Sequence, residues 1–211
     1  LTTSHDYTLC FVTDKTLSNG RSTPDVVRLA LRGGATIIQL RDKGRSRDYL
    51  LRTGAVIRDL CREYGASFVV NDSVDIAGEL GADGVHLGQG DMSAIEARRI
   101  LGDDAIVGIS VSSTGEALKA ESEDASYVGA GPVFATGSKP DAIAPIHLSG
   151  IESIVKSVRI PVMAIGGISI HNASEVAATG AHGIAVISAI SAADDPEEAA
   201  NRLHSCFTAN R

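Results

Sequence analysis

Gly81-Ala82-Asp83-Gly84-Val85 joins the end of one helix-periodic stretch to the start of a short apolar run, and the phrase returns at Gly34-Ala35-Thr36-Ile37-Ile38 and Gly180-Ala181-His182-Gly183-Ile184. Asp124-Ala125-Ser126-Tyr127-Val128 is a fainter copy. Each reads as a helix stop followed by a tight turn into a buried strand. The runs that follow are apolar at successive positions, as expected of parallel strands covered on both faces.

Working outward, Leu9–Val12 reads as a first strand, and Pro24-Asp25 opens the amphipathic stretch Val26, Val27, Leu29, Ala30, Leu31, which Gly33-Gly34 stops. Further strands are predicted over 35–40, 67–70, 84–87, 105–109, 127–130, 161–165 and 183–187. Helices are predicted over about 46–64, 74–80, 93–101, 114–121, 148–158, 172–179 and 196–209. Eight strand-then-helix units in 211 residues point to an α/β chain forming a single (β/α)8 TIM barrel, one catalytic domain over residues 1–211. An open doubly wound sheet is the runner-up, without a GxGxxG after the first strand to favour it.

Composition sets bounds on partners. Hydrophobic residues make up 44% and charged residues 21%, an ordinary globular mix that argues against wholesale disorder. The formal charge of -7 argues against a general nucleic-acid binder, which needs a basic face. Cys10, Cys61 and Cys206 show no metal-ligand spacing and read as reduced, mostly buried thiols. No basic-then-apolar leader opens the chain and no apolar run approaches the ~20 residues of a membrane span, so a cytoplasmic protein without membrane partners is expected. Whether it forms a homo-oligomer is not legible from the sequence.

In a barrel of this kind the residues just past each strand converge at one face. Here they are Gln39, Arg41 and Lys43; Asn71 and Asp72; Gln89 and Asp91; Ser110; Thr136, Ser138 and Lys139; Gly166-Gly167; and Ile187-Ser188. The segment Gly129–Pro145, GAGPVFATGSKPDAIAP, is long for a connection and suits an anion with its two hydroxyls and one ammonium. Arg41, Lys43 and Lys139 are enough cations for a group such as a diphosphate. Asp72 and Asp91 are hard oxygen ligands of the kind that suit Mg²⁺. The Gly166-Gly167 turn and the backbone beyond strand eight fit a separate phosphate.

Taken singly, these residues have plainer readings. Arg41 or Lys43 reads as a rim salt bridge, Asp72 as the N-cap of the helix at Val74, and Asp91 as the cap of the helix at Ser93. Their common phase, just past a strand, favours a shared site. His86, inside strand four, reads as a core imidazole or one supporting the site. His147, His171, His182 and His204 read as surface residues, and His5 is uninformative.

Together Gln39–Lys43 (QLRDK), Asn71–Asp75 (NDSVD), Gly81–Asp91 (GADGVHLGQGD), Gly108–Ser110 (GIS), Gly131–Lys139 (GPVFATGSK), Ala164–Ile168 (AIGGI) and Ala185–Ser188 (AVIS) resemble the thiamine phosphate synthase family, with similarity from Val12 to Ile190. The resemblance implies a transferase joining 4-amino-5-hydroxymethyl-2-methylpyrimidine diphosphate to 4-methyl-5-(2-phosphoethyl)thiazole. It implies that Arg41, Lys43, Asn71, Ser110, Ser138 and Lys139 bind the diphosphate and that Asp72 and Asp91 hold Mg²⁺. Gln39 would meet the pyrimidine, and Thr136, Gly167, Ile187 and Ser188 the thiazole phosphate. Ala135, Ser138, Ser73 and Ser112 depart from the family's usual Pro, Thr, Arg and His. The related thiazole tautomerases use a His for proton transfer, and this chain has none between Gly108 and Lys139. A non-catalytic phosphate-ligand sensor on the same barrel would need no paired aspartates.

Overall fold

The computed structural model describes residues 5–137 and 144–209. Its strands are β1 (Leu9–Val12), β2 (Ile37–Leu40), β3 (Ser67–Asn71), β4 (Gly84–Leu87), β5 (Ile106–Val111), β6 (Tyr127–Ala130), β7 (Val162–Ile165) and β8 (Gly183–Val186). Between and after them come α1 (Thr23–Arg32), α2 (Arg47–Tyr64), α3 (Val74–Leu80), α4 (Ala94–Leu101), α5 (Thr114–Ser122), α6 (His147–Ser157), α7 (Ala173–Ala177), α8 (Ser188–Ser191) and α9 (Pro196–Thr208). All neighbouring strands are parallel and β1 pairs with both β2 and β8, so the sheet closes into a (β/α)8 barrel and the open-sheet reading falls.

The repeated Gly-Ala phrase does the same work each time. Gly34, Gly81 and Gly180 have φ of 98°, 58° and 82°, in the left-handed region that costs glycine least. Asp124 takes their place in the fainter copy with φ 63°. The next N–H reaches back five residues, from Ala35 to Ala30 O, Ala82 to Ala77 O and Ala125 to Ala120 O, satisfying a helix-end carbonyl before the chain turns into its strand.

Strand alternation then sorts the apolar residues into two cores. Leu9, Phe11, Ile38, Leu40, Val85, Leu87, Val107 and Val128 pack outward beneath the helices. Cys10, Val12, Ile37, Val69, Ile106, Tyr127, Met163, Ala185 and Ile187 fill the barrel interior. Both faces are buried, which is why these strands show no polar alternation in the sequence. Serines cap the helices that follow β1, β2, β4 and β5, with Ser22, Ser46, Ser93 and Ser113 accepting from backbone N–H groups of the first turn.

Two short elements escape the sequence reading. Lys15–Leu17 forms a 3-10 turn capped by Asp14, and α8 follows β8 directly, ending the strand at Val186 rather than Ile187. Ile187 leaves the extended region with φ -111° and ψ -81°. A four-residue helix is too short to show a period of 3.6.

Candidate active site

A cavity of about 470 Å³ opens where the strands end, and the elements β2 to β5 supply its charged wall. Arg41 and Lys43 follow β2, Asn71 and Asp72 close β3, Asp91 follows β4, and Ser110 lies in β5; all six line the cavity. Thr136, Gly167, Ile187 and Ser188 line the opposite wall. Gln39 is buried inside the barrel and is not among the lining residues. Ser138 and Lys139 lie outside the described residues.

Arg41 is held from below. Its N–H donates to Thr13 Oγ1 at 2.9 Å, and Thr13 Oγ1 donates to Asp42 Oδ1 at 2.9 Å. Asp42, itself buried, also accepts from Lys15 N–H (3.1 Å), Thr23 Oγ1 (2.7 Å) and Tyr49 OH (3.0 Å). The Arg41 side chain is 3% exposed and its ion-pair partner, Asp14, stands 4.0 Å away. A rim salt bridge does not describe it. Lys43 is exposed, and its charge acts on Asp72.

Neither aspartate caps a helix. Ser73 is the N-cap of α3, and Ser93 caps α4 in a reciprocal box with Glu96. Asp91 Oδ2 instead accepts from Gly88 N–H at 2.7 Å. Asp72 adopts φ 63°, uncommon for a side chain other than glycine, and its carboxyl lies near enough to that of Asp91 for the two to repel when ionised. Although the Asp72 residue is exposed at the rim, desolvation is the largest cause lifting its carboxyl above the usual carboxylate range. The charge of Asp91 adds to the rise, while Lys43 and Arg41 oppose it. Two oxygen donors that repel when both ionised, beside cations that hold an anion, fit a divalent cation shared with phosphate oxygens. Among the described residues no group of three or more His, Cys, Asp or Glu could hold a metal ion.

The opposite wall is shaped by backbone. Val133 N–H donates to Ile165 O at 2.9 Å and Phe134 N–H to Gly166 O at 3.0 Å, laying the segment after β6 against the end of β7. A Cβ on Gly166 would sit 2.5 Å from Pro132 Cβ, and one on Gly167 2.8 Å from Phe134 Cβ. These glycines let the two loops meet and bring Thr136 to the cavity.

Sequence reasoning missed Glu116 and could not name the partners of Gln89, Ser110 and His86. Glu116 lines the cavity and accepts from Ser112 N–H at 2.6 Å and Ser112 Oγ at 2.9 Å, which gives Ser112 a defined partner at the rim. Gln89 Nε2 donates to Ser110 O at 2.7 Å. Beneath the cavity, Ser110 Oγ lies 2.8 Å from His86 Nε2, and His86 Nδ1 2.8 Å from Tyr127 Oη. His86 thus supports a site residue. His182 is half-buried rather than a surface residue, with Nδ1 accepting from Val162 N–H at 3.1 Å, and His204 is half-buried as well; His147 and His171 are exposed. The three thiols are free, and burial pushes that of Cys10 up to about 12.

The family model described as thiamine monophosphate synthase matches residues 9–190. The chain belongs to the thiamine monophosphate synthase family. It is 48% identical over 198 residues to the thiamine-phosphate synthase of Chloroflexus aurantiacus, covering 94% of this chain and 91% of that one. The Moorella thermoacetica thiamine-phosphate synthase is 49% identical over 195 residues, 92% of this chain and 93% of that one. Among solved structures, thiamine phosphate pyrophosphorylase from Pyrococcus furiosus superposes with a TM-score of 0.89 at 43% identity, covering 97% of each chain. Orotidine 5'-phosphate decarboxylase from Pyrococcus horikoshii, at 18% identity and a TM-score of 0.66 over 94% of this chain and 99% of that one, shares the fold alone. Among the described residues no helix is long and apolar enough to cross a membrane.

Proposed function

We propose that this chain is a Mg²⁺-dependent thiamine phosphate synthase in thiamine biosynthesis. It transfers the 4-amino-2-methylpyrimidinylmethyl group from its diphosphate to 4-methyl-5-(2-phosphoethyl)thiazole and releases diphosphate. The observation that carries this reading is the Asp72–Asp91 pair set beside Arg41 and Lys43 on one wall of the cavity. Family membership gives the pair its chemical context.

In this reading Arg41, Lys43, Asn71, Ser110, Ser138 and Lys139 bind the diphosphate, and Asp72 and Asp91 hold the metal. Bound there, Mg²⁺ would neutralise charge on the departing diphosphate. The bond from the pyrimidine methylene to oxygen breaks with its electron pair leaving on diphosphate, and the ring amino group delocalises the positive charge left behind. The thiazole nitrogen then forms the new C–N bond with its own lone pair. No general base is required. The side chains therefore act by fixed electrostatics at the leaving group, where charge develops. Gln39 meets the pyrimidine, while Thr136 and the backbone at Gly167, Ile187 and Ser188 take the thiazole phosphate.

The test is an assay with both substrates, with and without Mg²⁺, following diphosphate release. Release that requires both substrates and the metal is the expected result. Turnover of the thiazole without metal or diphosphate would point to a tautomerase, and binding without turnover to a sensor; either would overturn the proposal.

A further inference from the structure

Ser110, His86 and Tyr127 form one hydrogen-bonded row that runs from the cavity down into the barrel. The strand register sets it up: His86 pairs with Gly108 and Ser110 with Gly129, so two glycines stand beside the two rings. A Cβ on Gly108 would overlap the Tyr127 ring, and one on Gly129 would lie 2.8 Å from His86 Cε1. Tyr127 and His86 are 1% and 8% exposed. A barrel interior normally filled by branched aliphatics has given up two side-chain volumes to house this row.

Its polarity follows from donor counting. The Tyr127 phenol has one proton, and burial first of all, with Cys10 and Tyr7 adding to it, keeps that proton on. A buried phenol O–H needs an acceptor, and the hydrogen bond that Tyr127 Oη makes is to His86. The phenol proton therefore has His86 Nδ1 as its acceptor at 2.8 Å. A neutral imidazole that accepts at Nδ1 carries its proton on Nε2, where the partner is Ser110 Oγ at 2.8 Å. With an oxygen lone pair occupied in this way, the Ser110 proton is left to point elsewhere, and Ser110 lines the cavity. The opposite tautomer would turn the Ser110 O–H toward the imidazole and present lone pairs to the cavity, the wrong sign for an anion.

We infer that Tyr127 and His86 are positioning residues that act in one direction, fixing His86 as the Nε2–H tautomer so that Ser110 faces the cavity as a hydrogen-bond donor to an anion. This rests on the reading of that anion as diphosphate.

Nitrogen-15 NMR of the full chain reads the tautomer without any substitution. A pyridine-type Nδ1 and a pyrrole-type Nε2 are expected for His86, and the reverse assignment would overturn the inference. Calorimetry with inorganic diphosphate and Mg²⁺ reads the coupling. Ser110→Ala is expected to weaken binding about tenfold, the loss of one hydrogen bond to a charged group. Tyr127→Phe, which removes only the hydroxyl, is expected to weaken it about fivefold in the wild-type background and hardly at all in the Ser110→Ala background. Equal losses in both backgrounds would assign Tyr127 to packing and sink the row. Failure of the wild-type chain to bind diphosphate would overturn the underlying reading and Ser110's role with it, whereas intact binding with the wrong tautomer would overturn the row alone.

Discussion

Asp42→Asn tests how the position of Arg41 is maintained. The buried carboxylate accepts four hydrogen bonds, from Thr13 Oγ1 and Lys15 N–H on Oδ1 and from Thr23 Oγ1 and Tyr49 OH on Oδ2. An asparagine keeps one carbonyl oxygen for the first two donors and turns an NH₂ toward the others. Hydrogen bonds to a charged acceptor contribute about 1.5–3 kcal/mol each and neutral ones about 0.5–1.5. The two retained bonds therefore weaken by about 1 kcal/mol each, and the two hydroxyls lose their acceptor. Thr23 Oγ1 and Tyr49 OH lie 3.2 Å apart and can pair with each other while the new NH₂ donates to their oxygens, which returns most of that loss. The expected destabilisation is about 3 kcal/mol. At about 2–4 °C per kcal/mol for a chain of this size, Tm should fall by about 6–12 °C in thermal unfolding followed by circular dichroism. Because Thr13 Oγ1 also accepts from Arg41 N–H, affinity for diphosphate should fall in the folded variant as well. A Tm loss below about 2 °C with unchanged affinity would show that Arg41 does not depend on this network.

Asp91→Ala and Lys139→Ala should each lower turnover by about a hundredfold or more while leaving the circular dichroism spectrum unchanged, since in the proposed reading one removes a metal ligand and the other a cation that binds the leaving group; near-normal rates in both would discard the site assignment. Gly166→Ala should cost about 2–4 kcal/mol in urea unfolding, because φ of 102° strains any side chain and the new Cβ meets Pro132 at 2.5 Å; a neutral outcome would mean that the loop after β6 shifts freely. Asp72, with its carboxyl raised in the folded chain, favours folding fully below its unfolded pKa, and that contribution is lost as pH rises through the folded value. Carbon-13 titration without metal should therefore place its midpoint above the ordinary carboxylate range, and saturating Mg²⁺ should bring it down; a metal-free midpoint at or below the ordinary value would contradict the Asp72–Asp91 contact.

The barrel was legible because its signals are local. Helix stops such as Gly81-Ala82 are fixed by a left-handed residue and a backward hydrogen bond within six positions, so each can be read without its neighbours. Asp124 follows the same logic with a less permissive residue, which is why that copy is fainter. Depth inside the barrel was not legible. Gln39 and Arg41 lie two residues apart and so point the same way, yet one is buried below the cavity and the other reaches it. Tyr127 is equally opaque in the sequence, since its environment depends on what Gly108 omits from another strand. The capping alternatives for Asp72 and Asp91 fail for a local reason, because Ser73 stands one residue and Ser93 two residues closer to their helices.

The two walls of the cavity differ in how much side-chain chemistry can disclose. Along β2 to β5 the candidate contacts are guanidinium, ammonium, carboxyl, amide and hydroxyl groups, each with a recognisable affinity for anion or metal. At the ends of β7 and β8 the candidates are Gly167, Ile187 and Ser188, and the first two have no polar side-chain atom to offer. Whatever they contribute comes from backbone N–H groups, whose direction depends on the φ of 68° at Gly167 and the break from extended backbone at Ile187. Residue chemistry alone proposes the diphosphate wall, while the phosphate wall needs either the conformation or a family resemblance. An Ile187→Val substitution, which alters a side chain but keeps the backbone donors, should accordingly leave the KM for the thiazole phosphate within about twofold, the scale of a methylene lost from a tolerant site. A change in KM of tenfold or more would place the recognition in the side chain instead.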